Sequence, residues 1–309
     1  MFGNSKSGAQ AGAARPPAAV EISPEGVLAA ARRGGKSSGR VPSYAFVELQ
    51  PGAILPEIGE VNLRAPEAVA DAIRSALEQV EPRTRSVTLV VPDSVVRVFV
   101  LDFDAFPAKA AEAVPVVKFR LRKMVPFDVE QAGVGYQVLT QSKTEYKVLA
   151  AVVPGPVLAE YEAAVRAAGY EPGAVLPSSL AALETVDSEG AALTANLSAA
   201  VLTTTIVAEN DLLLYRTLDL PADAALRASE VQRGIAVAAA YYEDKLGARP
   251  TVLHYSGRES RMEFARWIGD PELRVEDLVE RPVDLSVGRV SVAGVAGALA
   301  LRGGQAGVR

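Results

Sequence analysis

One arrangement of segments occurs twice along this chain, and it limits the open folds more than any other feature. Ala18 to Ile22 and Gly26 to Ala31 are short apolar runs separated by Ser23-Pro24-Glu25, a hairpin signature, and Tyr44 to Leu49 reads as a third strand. Pro66 to Val80 follows, with Val69, Ile73, Ala76, Leu77 and Val80 spaced along one helix face and proline at its start. The order then returns. Leu193 to Asn196, Leu202 to Ala208 and Leu212 to Leu218 read as strands, and the long segment Ala224 to Leu246 presents Leu226, Val231, Ile235, Ala238, Tyr242 and Leu246 as a helix. Strand triplets followed by long helices, twice over, predict an α/β architecture with a repeated lobe. A chain of 309 residues suits two such lobes.

The middle of the chain is less regular. Ser86 to Val91 and Val95 to Leu101 are strands split by Pro92-Asp93-Ser94, and Lys109 to Val125 is helical, with Pro115 expected to end or kink it. Gly135 to Thr140 and Lys147 to Val153 are strands around the polar turn 141–145. Val157 to Ala168 is a helix closed by Gly169, and Ser178 to Val186 is another. Asp187-Ser-Glu-Gly190 is the expected lobe boundary. Beyond the second triplet, Thr251 to Tyr255 is a strand, Ser260 to Ile268 a helix, and Val290 to Leu301 a final helix of small residues.

Composition excludes several kinds of chemistry. The chain has no cysteine, which removes disulfides, thiolate metal sites and cysteine nucleophiles. Its single histidine, His254, sits between Leu253 and Tyr255 in an apolar strand and reads as a packing residue. A net charge of −5 lacks the basic footprint that nucleic acid requires. The first residues carry no apolar run of the secretory type, so a cytoplasmic location is expected. Gly190 to Ala208 is free of charge over nearly the length of a membrane span, but its threonines and the β-branched run Val201 to Val207 predict a buried strand.

Three further clusters carry little chemistry. Gly35-Lys36-Ser37 resembles the end of a phosphate loop, but the glycine needed five residues earlier is Ala30. Asp102 and Asp104 could share a strand face, yet no third ligand lies near them, and a solvated strand end is the plainer reading. Lys118, Arg120, Arg122 and Lys123 form a basic run that reads as a solvated helix face, with a role at anionic lipid headgroups only where the protein docks at a membrane.

Three stretches in order resemble PilM, the actin-like cytoplasmic component of the type IV pilus inner-membrane platform. Lys118-Phe-Arg-Leu-Arg-Lys-Met-Val-Pro-Phe-Asp128, followed by Gly135-Tyr-Gln-Val-Leu139, is similar to that family's helix, Pro-Phe-Asp turn and strand. Val148 to Val153 with Tyr161 to Gly173 resembles its strand, helix and Ala-Gly-Tyr-Glu-Pro turn, and Val292 to Gly303 resembles its closing helix. The resemblance runs from about Ala18 to Gly303. It implies an α/β fold of the actin-like (ribonuclease H-like) two-lobe kind. The expected bounds are a tail over 1–17, a first lobe over 18–187 with an inserted subdomain near 102–187, and a second lobe over 188–289. A closing helix over 290–303 packs back on the first lobe, and 304–309 is a tail.

The resemblance also implies a nucleotide cleft between the lobes, and there the sequence departs from the family pattern. The first phosphate hairpin should read Asp-Ile-Gly; here Glu21-Ile22-Ser23 precedes Pro24, which has no N–H to donate, and only Gly26 is unhindered. The second should repeat that motif; Asn196-Leu197-Ser198-Ala-Ala-Val201 lacks both carboxylate and glycine. The adenosine turn should be Ser-Gly-Gly-Gly-like; Ser256-Gly257 is followed by Arg258-Glu259. The expectation is therefore a scaffold that binds neither ATP nor magnesium and catalyses nothing. Resemblance supplies its partner, the short cytoplasmic tail of a membrane-anchored PilN-type subunit alongside other pilus platform subunits, at the inner face of the inner membrane. Phe119, Met124, Phe127, Tyr136 and Val138 are the expected contacts of that tail. Two alternatives stay open: an active actin-like ATPase with drifted loops, and the cytoplasmic part of a type II secretion platform protein. The latter family continues into a transmembrane helix, which this chain, ending at Arg309, lacks.

Overall fold

The computed structural model describes residues 16–32, 42–142, 144–186, 190–209, 211–280, 282 and 290–300. Gly35-Lys36-Ser37, residues 187–189 of the expected lobe boundary, residues 1–15 and the C-terminal tail lie outside the described residues.

Two five-stranded sheets repeat each other strand for strand. In the first, β1 (Ala18–Ser23), β2 (Gly26–Ala31) and β3 (Ser43–Glu48) form an antiparallel meander. β4 (Ser86–Val91) adds in parallel to β1, and β8 (Glu171–Pro177) in parallel to β4, giving the order β3-β2-β1-β4-β8. In the second, β9 (Ala192–Leu197), β10 (Val201–Ala208) and β11 (Asp211–Asp219) are the meander. β12 (Val252–Gly257) and β13 (Arg274–Asp277) extend it in parallel, in the order β11-β10-β9-β12-β13. The charge-free segment that imitates a membrane span is the β9–β10 hairpin, and among the described residues no helix is long and apolar enough to cross a membrane.

Each sheet is covered by helices because its strands are apolar. All six residues of β2 are buried, the signature of a strand covered on both faces. α1 (Pro66–Val80) lays Val69, Ile73, Ala76, Leu77 and Val80 on one face, beside α3 (Gly155–Ala167). The other face of the first sheet takes α7 (Ala293–Ala300), packed with α4 (Ser178–Ala182) over Ala19, Leu28, Ala30 and Val90. The period of two along β1 therefore sends Val20 and Ile22 to α1, and Ala19 to α7. On the second sheet lie α5 (Ala224–Leu246), capped by Asp223 and ended by Gly247 at φ +71°, and α6 (Arg261–Ile268). Leu226, expected on the buried face of α5, is exposed, since its burial on the sheet begins only at Val231.

A third sheet is inserted between β4 and β8. β5 (Arg97–Phe103), β6 (Gly133–Gln141) and β7 (Tyr146–Val153) pair antiparallel in the order β5-β7-β6, and α2 (Ala110–Leu121) covers them with Val117 and Leu121. The inserted unit thus spans Arg97–Val153, against the expected 102–187, because α3, β8 and α4 return to the first lobe. α2 runs through Pro115 without ending and stops at Leu121, short of Val125. β8 and β13 have no counterpart in the sequence reading. Pro172 and Gly173 hide β8, and the register with β4 shifts at this point, between Val87 and Thr88.

Candidate functional site

The three loops singled out in the sequence meet along the seam between the lobes. The β1–β2 turn contributes Ser23, Pro24 and Glu25, the β9–β10 turn runs from Ser198 to Ala200, and the end of β12 supplies Ser256, Gly257 and Arg258. Ser256 Oγ lies 3.1 Å from Asn196 Oδ1 and donates to it. Arg258 reaches across the seam to Glu25, Nη1 to Oε1 at 3.3 Å, and its Nε lies 3.5 Å from Glu259. The arginine expected to crowd a base and ribose instead ties the second lobe to the first hairpin.

Several backbone donors of these turns are engaged locally. Ser198 N–H donates to Val201 O at 3.0 Å, while Ser198 Oγ accepts from the N–H groups of Ala200 and Val201 at 3.3 and 3.1 Å. A hydroxyl at this position forms a closed local turn. In the first turn Pro24 has no N–H, and Ser23 Oγ donates to Gly26 O at 3.1 Å. The two glycines are there for packing: a Cβ on Gly26 would fall 2.3 Å from Val47 O, and one on Gly257 would fall 2.6 Å from Leu197 O.

The centre of the seam is Asp93, which sequence reasoning passed over as part of a turn. It follows β4 in a single 3₁₀ turn over Asp93–Val95 and is 3% exposed. Its Oδ1 accepts from Ser179 N–H at 3.0 Å; its Oδ2 accepts from the Ser179 hydroxyl, from Asn196 Nδ2 at 3.1 Å and from Thr203 Oγ1 at 3.3 Å. Asn196 Nδ2 also lies 2.9 Å from Ser179 Oγ. Asn196 and Thr203 belong to the second lobe, Asp93 and Ser179 to the first, so one carboxyl gathers donors from both. Burial pushes its pKa up, and these hydrogen bonds oppose the rise. The signal that could have found it is its place, at the carboxyl end of a parallel strand where α/β folds build their sites.

Glu21, the acidic residue of the first hairpin, turns away from these loops. Its Oε1 accepts from Ser178 Oγ at 2.7 Å, and its carboxylate lies against Gly294 at the start of α7. A carboxylate at a helix N-terminus meets orphan N–H groups and the positive end of the helix dipole. Arg32, just after β2, donates to Leu299 O at the opposite end of α7. One hairpin thus grips both poles of the closing helix with matching charge. Burial lifts the Glu21 pKa from 4.5 to about 7, with the Asp93 carboxylate adding to the rise.

The other expected residues divide by exposure. Phe119, Met124 and Val138 are exposed, whereas Phe127 and Tyr136 pack partly against the core of the insert, Tyr136 with its ring edge-on to Phe106 at 5.5 Å. Asp102 is exposed and paired with Lys147 at 3.4 Å, and no group of three metal-ligating side chains occurs among the described residues. His254 lies half-buried in β12, in register with Thr194 and Glu276.

No family model and no curated protein matches the chain. Its structure, however, resembles solved ones along nearly its whole length. A PilM–PilN type IV pilus biogenesis complex matches with a TM-score of 0.68 at 16% identity, covering 92% of this chain and 96% of the other. A protein of Bacteroides thetaiotaomicron with an actin-like ATPase fold matches with a TM-score of 0.51 at 9% identity, over 93% and 96%. The cytoplasmic domain of EpsL, an inner-membrane component of the type II secretion system of Vibrio cholerae, gives 0.49 at 13% identity, over 91% and 92%. The repeated 3-2-1-4-5 sheets, the insert between β4 and β8 and the first two of these likenesses give one conclusion: the chain has the actin-like fold.

Proposed function

We propose that this protein is a non-catalytic scaffold of a type IV pilus or related assembly platform, which works at the inner face of the inner membrane. Its partner in this reading is the cytoplasmic tail of a membrane-anchored PilN-type subunit. The observation that carries the proposal is the end-to-end likeness to the PilM–PilN type IV pilus biogenesis complex. Of the contacts expected from the sequence, Phe119 and Met124 stand open and Phe127 and Tyr136 pack partly inward, so this reading keeps Val138 and adds Leu55 and Val61, exposed apolar side chains of the first lobe, as the contacts of an extended tail. An immobilised PilN-type tail is expected to retain the purified chain, and failure to retain it removes this reading.

The chemistry of the seam supports the non-catalytic half of the proposal. A magnesium nucleotide needs free backbone N–H groups and carboxylates open to the cation's water shell. Here the Ser198, Ala200 and Val201 N–H groups are used within their own turn, Pro24 supplies none, Asp93 is surrounded by four donors, and Glu21 lies against α7. The residues present do not fit that group. Each missing charge-assisted hydrogen bond costs of order 1.5–3 kcal/mol, so three lost ones take a micromolar site beyond millimolar. Asp93 is the one residue that favours a second reading, an active ATPase, because an acid at that strand end could serve phosphoryl transfer once freed. Titration calorimetry with Mg-ATP decides between them. No heat at millimolar nucleotide is expected, and a dissociation constant near micromolar restores the ATPase.

A further inference from the structure

We propose that the end of α2 and the turn after it dock on the anionic headgroups of a lipid bilayer, with Phe119 inserted among them. Phe119 is 72% exposed and Met124 43%, so neither is seated in a groove. The helix beneath them is fixed, since Val117 and Leu121 are fully buried in the core of the insert. Lys118, Arg120, Arg122 and Lys123 alternate with these apolar residues over a turn and a half. In a chain of net charge −5, this is a local excess of cation.

That excess is only partly neutralised. Arg122 pairs with Glu130, whereas Lys118 Nζ donates at 2.8 Å to the neutral backbone carbonyl of the same residue and keeps its charge. Arg120 and Lys123 make no ion pair among the described residues. Arg120 does border a polar depression with Asp102 and Asp104, but Asp102 is held by Lys147. The arrangement, a protruding aromatic ring set among long cationic stems, matches a headgroup layer, where rings sit at the acyl boundary and cations reach phosphate. An acidic peptide would need a groove or a strand edge, and a ring this open offers neither. The platform reading supplies only the nearness of a membrane; the surface chemistry stands without it.

The test is sedimentation of the full chain with vesicles of phosphatidylcholine, alone or mixed with phosphatidylglycerol. Binding to the mixed vesicles alone is expected at low salt, with release at about 0.5 M, where the screening length falls to a few ångströms. Phe119→Ser, and Lys118→Glu with Lys123→Glu, should each weaken binding about ten-fold, since each cation near an anionic surface contributes several-fold. All three positions lie outside the buried core, so thermal melts should be unchanged. Equal binding to both vesicle types, or variants that bind like the parent, overturns the proposal. So does capture by soluble polyglutamate with no vesicle binding, which would reassign the surface to an acidic peptide. Vesicle binding without tail capture supports the lipid surface and removes the platform reading.

Discussion

Glu21 shows how one residue changes meaning between chain and fold. In sequence it occupies the place of a family carboxylate in a phosphate hairpin; in three dimensions it lies against the start of α7 and bonds Ser178. Its pKa near 7 in the folded state, against 4.5 ordinarily, means the folded protein holds a proton that the unfolded chain releases. Stability from this group is therefore complete below about pH 4.5 and is lost as pH rises through 7. Glu21→Gln keeps the hydrogen bonds without the charge. It should leave stability unchanged near pH 4.5 and raise it at pH 8 by up to about 3 kcal/mol, an upper bound because the side chain keeps some contact with solvent. Thermal melts of the parent and variant across that range check this. An equal difference at both ends would show that ionisation is not its source.

At the scale of elements, α7 is the piece whose place depends most on close approach. A Cβ on Gly297 would stand 1.9 Å from Ala181 O and 2.6 Å from its carbonyl carbon, so α4 and α7 touch backbone to backbone. Gly297→Ala must push the helices apart and is expected to destabilise by about 2–4 kcal/mol, despite alanine's better helix propensity. Hydrogen exchange should quicken in α7 and α4 while the second lobe keeps its protection. The sequence marked this helix from its small residues, and marked α1 and α5 with the ends they have in the fold, because amphipathic spacing and caps are local properties. β8 escaped notice for the opposite reason. Pro172 and Gly173 read as a turn, and only pairing with β4 makes a strand of them.

At the scale of the molecule, the lobes are joined at their seam by the Asp93 network and by the Glu25–Arg258 pair. The pair is partly open to solvent, with side-chain exposures of 26% and 32%, so its energy should be modest. A double-mutant cycle with Glu25→Gln and Arg258→Gln is expected to give a coupling of about 0.5–1 kcal/mol that shrinks in high salt. A coupling of zero at low salt would mean the charges merely lie close. The sequence by itself determined the repeated strand triplets, their covering helices and the absence of glycine and carboxylate from the second phosphate turn, since period, turn residues and composition act over a few neighbouring positions. It could not reveal that Arg258 crosses to Glu25, that Asp93 gathers donors from both lobes, or that Glu21 faces a helix some 270 residues further on. Those contacts join segments far apart in the chain, and only the packing of two sheets and their helices decides which side chains meet.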